Sequence, residues 1–476
     1  MAEFDTVIRN AVVATAADVF EADLGITDGI VTGLGRSLGP ARRDIDAGGR
    51  YVLPGGIDTH CHFDQPMRDT VTLADDFLSG TVSAAHGGTT TVMPFACQLQ
   101  GSSVRHAVLD YHRRAAGKPV IDYGFHIIVS DPTEAVLRDE LPALIKEGYT
   151  SFKIYMTYET LKLSDRQIIS VLALARREGA MIMVHAENSD CIAWLTAELL
   201  RQGKTAPYFH AVSRPQAVER EGTHRAITMA EIVGAPILLV HVSSADAVEQ
   251  IRWAHGRGLE ILAETCPQYL VLTAEHLHAP GFEGAKYICS PPPRDSASQQ
   301  AVWQGLTSGV FHVVSSDHAA FRFDDPEGKR RHGTDAPFAK VPNGLPGVET
   351  RLPLLFSEGV GKGRIDLPRF VALTATNAAK IYGIYPRKGT IAIGSDADLV
   401  IWDKDREVVI ANDLLHHNCD YTPYEGMRVR GWPAVVFSRG EVVVEEGKLL
   451  GEPGRGQFLR CDRPRIPLAS HSLATA

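Results

Sequence analysis

The stretch Tyr51-Val-Leu-Pro-Gly-Gly-Ile-Asp-Thr-His-Cys-His62 is an apolar run that ends in polar residues. Alternate side chains of a β-strand lie on the same face, so we predict that His60 and His62 lie side by side at the strand's end. Two imidazoles in this arrangement provide half of the ligands of a typical metal site. Cys61, which separates them, is predicted to point to the opposite face and to pack rather than coordinate.

Further apolar runs follow along the chain, and helix-like segments separate them. This alternation indicates repeated βα units, and nearly continuous hydrophobicity is typical of strands that are buried on both faces. Eight parallel strands predict an α/β fold, a (β/α)8 TIM-like barrel. The predicted strands are Val52–Thr59, Thr89–Phe95, Ile121–Val129, Ser151–Tyr155, Met181–His185, Pro236–Val242, Glu260–Thr265 and Phe311–Ser316.

Both ends of the chain carry short alternating runs that turn residues interrupt. Near the start these are Phe4–Val13, Val19–Ile26 and Ile30–Leu34, and similar patterns return from Gly389 onward. Neither end alone has enough strands for a stable sheet. We therefore predict a small β-sandwich domain built from both termini, residues 1–52 and 386–450, beside a barrel over residues 53–385 and a C-terminal tail over residues 451–476.

Composition disfavours several classes of protein. A net charge of −9 over 476 residues, without a long basic run, argues against binding to nucleic acid. No uncharged apolar stretch reaches the ~18–20 residues of a membrane span, and the start shows no signal-peptide pattern. Seven widely spaced cysteines are typical of reduced thiols rather than of a disulfide framework. We expect a cytoplasmic protein without a membrane partner.

Other polar residues take up positions equivalent to those of His60 and His62, at the strand ends where such barrels have their active sites. Lys153 lies in the fourth predicted strand, and His185, His241 and Asp317 end the fifth, sixth and eighth. Imidazoles and a carboxylate suit zinc or a similar first-row metal. A single catalytic zinc takes three protein ligands and a water, so this larger set predicts two metals.

Lys153 poses an electrostatic problem, because an ammonium group beside two dications is repelled. A paired site holds its ions roughly 3.5–4 Å apart and needs a bridging anion. Carboxylation by carbon dioxide would convert the lysine into an anionic bidentate bridge. The residues alone leave an alternative, in which the lysine extends to solvent or pairs with a carboxylate.

Several motifs in a fixed order resemble the cyclic-amidohydrolase branch of the amidohydrolase superfamily, in particular the dihydropyrimidinases and D-hydantoinases. The resemblance runs from the N-terminal β segment to about Asp403 and is more specific for the branch than for the substrate. Its motifs are Asp58-x-His60-x-His62, Ser151-Phe-Lys153-x-x-Met-x-Tyr158, Val184-His185-Ala-Glu187, Val240-His241-Val-Ser243, Cys289-Ser290-Pro-Pro-Pro-Arg294, Ser316-Asp317-His318 and Pro342-Asn343-Gly-Leu-Pro-Gly347.

The resemblance implies a metal centre with two Zn²⁺ ions per subunit, for which Mn²⁺ or Co²⁺ are possible substitutes. It also implies a homotetramer or homodimer, to which the apolar segment Asp413–Pro433 could contribute. The implied ligands are His60, His62 and Asp317 for one ion and His185 and His241 for the other, with N6-carboxylated Lys153 and a hydroxide bridging both.

The implied activity opens the cyclic amide ring of dihydropyrimidines or 5-substituted hydantoins to give N-carbamoyl amino acids. The bridging hydroxide would attack the ring carbonyl, and Tyr158 would stabilise the resulting oxyanion. Asp317 would take the proton of the hydroxide and pass it to the leaving nitrogen. Ser290 and Asn343 would hold the cyclic imide edge of the substrate.

Related activities provide the alternatives. Dihydroorotases carry an arginine two residues after the second histidine, where this chain has Asp64, and a carboxylate there would repel dihydroorotate. Allantoinase or another cyclic amide or imide hydrolase stays open. A non-catalytic scaffold of the same fold is disfavoured because all six ligand positions are intact.

The residues around the predicted mouth suggest a substrate with a bulky or apolar 5-substituent. We predict that the segment Phe321–Pro337, called the charged segment below, is a solvated lid or loop. For its neighbour His318 two interpretations are equally open: it supports Asp317, or it is only satisfied structurally. Candidate pocket residues are Phe63, Met67, Leu73, Phe152 and Tyr155. The alternative, open for each of them, is that it only packs at the rim of the barrel.

Overall fold

The alternating runs at the start of the chain form strands of one sheet, as predicted. The structure, a computed structural model, describes residues 3–66 and 71–465. The first strand pairs antiparallel with the second and parallel with the fourth and fifth. These strands are β1 (Phe4–Ala14), β2 (Val19–Thr27), β3 (Ile30–Gly35), β4 (Ala41–Asp46) and β5 (Tyr51–Pro54).

The parallel barrel is confirmed. The second and third predicted strands are each divided in two, and Pro94, which has no N–H for a sheet hydrogen bond, lies at the first of these breaks. The strands are β6 (Gly56–Asp58), β7 (Thr89–Val92), β8 (Phe95–Cys97), β9 (Asp122–Tyr123), β10 (His126–Ile128), β11 (Ser151–Tyr155), β12 (Met181–His185), β13 (Ile237–Leu239), β14 (Ile261–Thr265) and β15 (Val313–Val314).

The barrel closes between its first and last strands. Neighbouring strands pair in parallel from β8 and β10 through β15, and β6, β7 and β9 form the remaining group. A parallel bridge between Cys61 and His318 joins the two ends. The backbone N–H of His62 donates to the carbonyl of His318 at 2.7 Å.

The predicted first strand, Val52–Thr59, is divided between the two parts of the fold. Its beginning lies in β5, which pairs with the terminal sheet and continues through Pro54, and its end lies in β6. Gly55 separates them, and a side chain at this position would collide with Thr90. One continuous apolar run therefore supplies a strand to each part.

Helices cover the outside of the barrel. The N-cap of the fourth is Ser164, whose hydroxyl accepts from the N–H of Gln167, and this helix ends at left-handed Gly179. No helix in the two described stretches is long and apolar enough to cross a membrane. They are α1 (Phe77–His86), α2 (Val104–Ala115), α3 (Leu141–Lys146), α4 (Asp165–Glu178), α5 (Ser189–Arg201), α6 (Phe209–Val212), α7 (Gln216–Val233), α8 (Ala245–Gly256), α9 (Pro267–Val271), α10 (Ser296–Thr307), α11 (Arg351–Leu355), α12 (Leu367–Val371) and α13 (Asn377–Ile381).

C-terminal strands complete the terminal sheet. The first of them pairs antiparallel with β5, so the two ends of the chain share one sheet. The sheet folds over itself: Ala397 donates to the carbonyl of Gly29 at 2.8 Å, and one apolar cluster includes both Leu24 and Phe437. These strands are β16 (Leu399–Val409), β17 (Arg428–Ser438), β18 (Glu441–Glu445) and β19 (Lys448–Leu449).

The described part of the C-terminal tail lies against the barrel. The backbone of Leu459 donates to the carbonyl of Tyr123 at 2.7 Å, and Cys461 donates to that of Gly148 at 2.9 Å. Residues 466–476 lie outside the described residues.

A buried cation links the terminal sheet to the barrel. The Nζ of Lys388 lies 2.7 Å from Asp122 in β9, 2.9 Å from Asp396 and 2.6 Å from Asp398, and the lysine is only 1% exposed. Burial opposes its charge, but the three carboxylates raise the pKa of Lys388 above its ordinary value. The ammonium group is therefore held in place by carboxylates from both parts of the fold.

Replacing Lys388 with methionine should destabilise the protein by about 3–5 kcal/mol, because it leaves the buried carboxylate of Asp398 without an ion-pair partner. Asp122 and Asp396 keep Arg439 and Arg387. Denaturant-induced unfolding followed by circular dichroism would measure the change. The matched control is Lys404→Met, which removes only the exposed ion pair with Asp405. Equal effects of the two substitutions would contradict a structural role for the buried cluster.

Candidate metal and substrate site

The six predicted metal ligands lie together at the C-terminal end of the barrel strands. Donor atoms of His60, His62 and Asp317 lie within 4.8 Å of one another. The Oδ1 of Asp317 lies 3.2 Å from the Nε2 of His60 and 3.5 Å from that of His62. On the other side of the group, the Nδ1 of His185 faces the Nε2 of His241 at 2.8 Å.

Lys153 lies between these two groups. Its Nζ is 3.2 Å from the Nε2 of His60, and the side chain is fully buried. The described residues place no carboxylate within ion-pair distance of this nitrogen, so neither alternative considered for an unmodified lysine, extension to solvent or an ion pair, applies here. Burial lowers the pKa of Lys153 to about 8, although Glu264 and Asp317 oppose that shift.

Backbone geometry helps to aim the site residues. Tyr158, His241 and Asp317 have positive φ angles of 66°, 40° and 49°. Such angles are uncommon outside glycine and cluster at functional sites, where the surrounding structure maintains them. Each of these residues follows a barrel strand, so the sharp change of direction turns its side chain toward the strand ends.

Three of the four histidines are oriented by an oxygen acceptor on the side away from the centre. Such partners fix the tautomer of a ligand histidine and make its other nitrogen available to a metal. Sequence reasoning missed these acceptors as functional residues, although Glu187 lies in a quoted motif and Glu264 lies in a buried barrel strand. The pairs are His60 Nδ1 with Glu264 Oε1 at 2.7 Å, His62 Nδ1 with Gln65 Oε1 at 2.7 Å, and His185 Nε2 with Glu187 Oε2 at 2.8 Å.

The charge states of these groups suit metal ligation. Burial lowers the pKa of His60, His185 and His241, which favours the neutral imidazoles that coordinate metals. Burial alone would raise the pKa of Asp317, but His60 and His62 hold it below its ordinary value. Neutral imidazoles, one carboxylate and a buried lysine fit a centre of two first-row metal ions.

Arg214 connects the metal-ligand side of the site to Tyr158. Its guanidinium lies 2.9 Å from Glu187, the partner of His185, and 5.8 Å from the centre of the Tyr158 ring. It is 7% exposed. A fixed charge therefore stabilises the ionised form of Glu187.

The predicted substrate residues form a second group beside the ligands. Ser290 and Asn343 lie near enough to Tyr158 to lower the pKa of its hydroxyl, and the Nδ2 of Asn343 donates to the Oγ of Ser290 at 3.1 Å. Burial raises the pKa of Tyr158, which keeps its hydroxyl protonated. All three residues and the histidine ligands line one cavity of about 460 Å³.

Only some of the predicted pocket residues line the cavity. Leu73 and Tyr155 line the cavity, whereas Phe63 and Phe152 are buried in the core, so the packing alternative applies to these two. Met67 lies outside the described residues. Apolar cavity residues that sequence reasoning did not identify are Val71, Leu99, Leu161, Phe321 and Val341.

Asp64 does not act as predicted. Its carboxylate lies 2.7 Å from Arg114 and 3.6 Å from Lys118 and does not line the cavity, so it is not positioned to repel a bound substrate. Only the absence of an arginine at this position then disfavours a dihydroorotase.

For His318, the structural alternative applies. Its Nε2 lies 3.0 Å from Asp75, and its Nδ1 accepts from the backbone N–H of Gly347 at 3.1 Å. It therefore holds neighbouring loops together rather than orienting the carboxylate of Asp317.

Comparison with known proteins agrees with this geometry. The model of the amidohydrolase family matches residues 51–443. A D-hydantoinase from Ralstonia pickettii is 47% identical over 457 residues, which cover 96% of this chain and 98% of that protein.

Solved structures give the same result. A D-hydantoinase structure superimposes with a TM-score of 0.94 at 46% identity and covers 97% of this chain and 100% of its own. A dihydropyrimidinase from Brevibacillus agri has a TM-score of 0.94 at 43% identity, with 97% and 100% coverage. On this similarity over nearly its whole length, the chain belongs to the amidohydrolase family and, within it, to the cyclic amidohydrolases of the D-hydantoinase and dihydropyrimidinase group.

Proposed function

We propose that this enzyme hydrolyses the cyclic amide of 5-substituted hydantoins or dihydropyrimidines to N-carbamoyl amino acids. The observation that carries the proposal is one cavity in which the metal ligands adjoin Tyr158, Ser290 and Asn343. The relatives named above as D-hydantoinases and a dihydropyrimidinase support the same substrate class.

We propose that the cofactor is a pair of Zn²⁺ ions per subunit, with Mn²⁺ or Co²⁺ as possible substitutes. When bound, such a pair lowers the pKa of a coordinated water to roughly 7 and polarises the substrate carbonyl. The burial of Lys153 without a carboxylate partner supports its N6-carboxylation as the bridge. The proposed ligands are His60, His62 and Asp317 for one ion and His185 and His241 for the other, with Lys153 shared.

Side chains of the protein stabilise the oxyanion, transfer the proton and bind the substrate. Tyr158 donates its hydroxyl to the oxygen of the attacked carbonyl, which becomes negatively charged in the transition state. Asp317 accepts a proton from the attacking water and delivers it to the ring nitrogen as the ring opens. Ser290 and Asn343 hold the imide edge, so the carbonyl carbon lies between the metal ligands and Tyr158.

The cavity wall indicates the kind of 5-substituent. Leu73, Val71, Leu161 and Phe321 provide an apolar surface beside the reaction centre. Gln98 also lines the cavity, but its amide is engaged by backbone groups of the protein, among them the N–H groups of Ser130 and Asp131. The apolar part of the wall is therefore suited to apolar substituents, including aromatic ones, while Arg331, His332 and Lys340 line another part of the cavity.

We further propose a cytoplasmic homotetramer or homodimer. The location is supported by cysteines that form no disulfide among the described residues. In the predicted interface segment, Asp413–Pro433, the side chains of Tyr421, Tyr424 and Trp432 are buried within the same chain, whereas Leu414 is 54% exposed. Exposed Trp194 in α5 and Ile232 in α7, which are 67% and 69% exposed, are apolar surface that a partner subunit could cover.

Purified, zinc-loaded enzyme should open the rings of hydantoin, 5-phenylhydantoin and dihydrouracil and should be much less active on allantoin and dihydroorotate. Dihydroorotate would lack the arginine that dihydroorotases carry two residues after the second histidine, where this chain has Asp64. Product N-carbamoyl amino acids can be quantified by chromatography. Preferred turnover of allantoin or dihydroorotate would contradict the proposed substrate class.

Replacing Asp317 with asparagine should lower kcat by at least about a hundredfold, because the proton acceptor is lost. Hydantoin turnover at saturating zinc would be measured together with metal content, of which the variant should keep much. The control is Asp64→Asn, a carboxylate outside the cavity, which should change kcat by less than about twofold. Near-normal hydrolysis by the Asp317 variant would contradict the assigned role.

A further inference from the structure

Lys329 is a buried lysine that the proposed chemistry does not use. It lies in the charged segment (Phe321–Pro337), which was predicted to be solvated, yet it is only 1% exposed. Its Nζ donates to the carbonyl oxygen of Ile288 at 3.1 Å and to that of Pro342 at 3.0 Å. Within the described residues it has no ion-pair partner, so its hydrogen bonds to backbone carbonyls determine its position.

The two carbonyls belong to the segments that carry the proposed substrate contacts. Ile288 lies two residues before Ser290, and Pro342 directly precedes Asn343. The segments also contact each other directly: the Gly344 N–H donates to the Ile288 carbonyl at 3.0 Å, and Asn343 donates to Ser290 at 3.1 Å. Lys329, which belongs to the charged segment, donates a hydrogen bond to each of these two segments.

Lys329 can satisfy both carbonyls in either protonation state. Burial lowers its pKa to about 7. A neutral amine still has two N–H groups, one for each carbonyl. A side chain without donors would remove both hydrogen bonds, and buried backbone acceptors that lose a partner are costly.

The backbone that carries Lys329 is itself held in place. Its N–H donates to the carbonyl of Arg322 at 2.8 Å. The carboxylate of Asp420 accepts from the N–H groups of Phe323 at 2.6 Å and Asp324 at 2.8 Å. The backbone carbonyl of Glu327 accepts from the N–H of Thr72 at 3.0 Å, and Thr72 precedes the cavity residue Leu73. The lysine therefore extends inward from an anchored segment.

We propose that Lys329 is a positioning residue for substrate recognition, which holds the Ser290 and Asn343 segments at the separation that the cyclic imide edge requires. This inference rests on the proposed function, because it assigns the imide edge to those segments. Lys329 touches neither the metal ligands nor the reacting atoms. Its loss should therefore weaken substrate binding much more than it slows the chemical step.

The test compares Lys329→Met, which keeps an unbranched side chain one atom shorter than lysine and removes its donors, with wild-type enzyme on hydantoin and dihydrouracil. We expect KM to rise at least about tenfold while kcat stays within about threefold. Metal content, measured by elemental analysis, should equal that of the wild type. A role limited to overall stability would leave KM unchanged in the molecules that remain folded.

The matched control is Lys286→Met. Lys286 also packs on the charged segment, with its Nζ 4.6 Å from the centre of the Phe323 ring, but it pairs with Glu283 and does not reach either carbonyl. Its KM should stay within about twofold of wild type. If Lys329→Met does not fold, Lys329→Gln takes its place. Glutamine retains an NH₂ donor on a side chain one atom shorter than lysine, so a smaller rise in KM is expected.

An unchanged KM in the Lys329 variant, or a parallel loss of kcat and metal, would overturn the inference. Such a result is distinguishable from failure of the proposed function. If wild-type enzyme turns over neither substrate, the proposed function fails. If wild type is active and the variant binds substrate equally well, only the role of Lys329 fails.

Discussion

Closure of the barrel between its first and last strands is the constraint on which the site depends. The Cys61–His318 bridge sets the histidines after β6 beside the Asp317 turn after β15. Asp58 accepts from the Ser316 N–H at 3.1 Å, and the Ser316 hydroxyl donates to the His60 carbonyl at 3.2 Å. A shift of one residue in this pairing would turn the histidines away from the aspartate.

Burial gives these residues their chemical character. A buried neutral imidazole is tolerated when the ring nitrogen that faces away from the centre has a hydrogen-bond partner. Glu264, Gln65 and Glu187 provide such partners for three of the four histidines. Arg214 in turn compensates the charge of Glu187. The same principle of anchoring extends to the substrate side, where Lys329 links backbone carbonyls of the two recognition segments. The proposed metal ligands and substrate contacts are therefore held in place by polar groups that take no part in the proposed reaction.

Sequence patterns predicted the barrel and the grouping of the six ligand candidates, because strand periodicity and strand ends are local properties. Long-range pairing is not local, so the division of the first strand at Gly55 and the inward turn of Lys329 were missed. Phe63 and Phe152 are aromatic, as pocket residues often are, but tertiary packing places both of them in the hydrophobic core. Asp64 was misread for the same reason, since its partner Arg114 is distant in the chain.

The most direct test of a two-metal centre is diffraction from crystals of zinc-loaded enzyme at the zinc absorption edge. The account predicts two anomalous peaks per subunit, roughly 3.5–4 Å apart, bridged by electron density that extends beyond the Nζ of Lys153. A single peak after full zinc loading, or an unmodified lysine between the histidine groups, would contradict it.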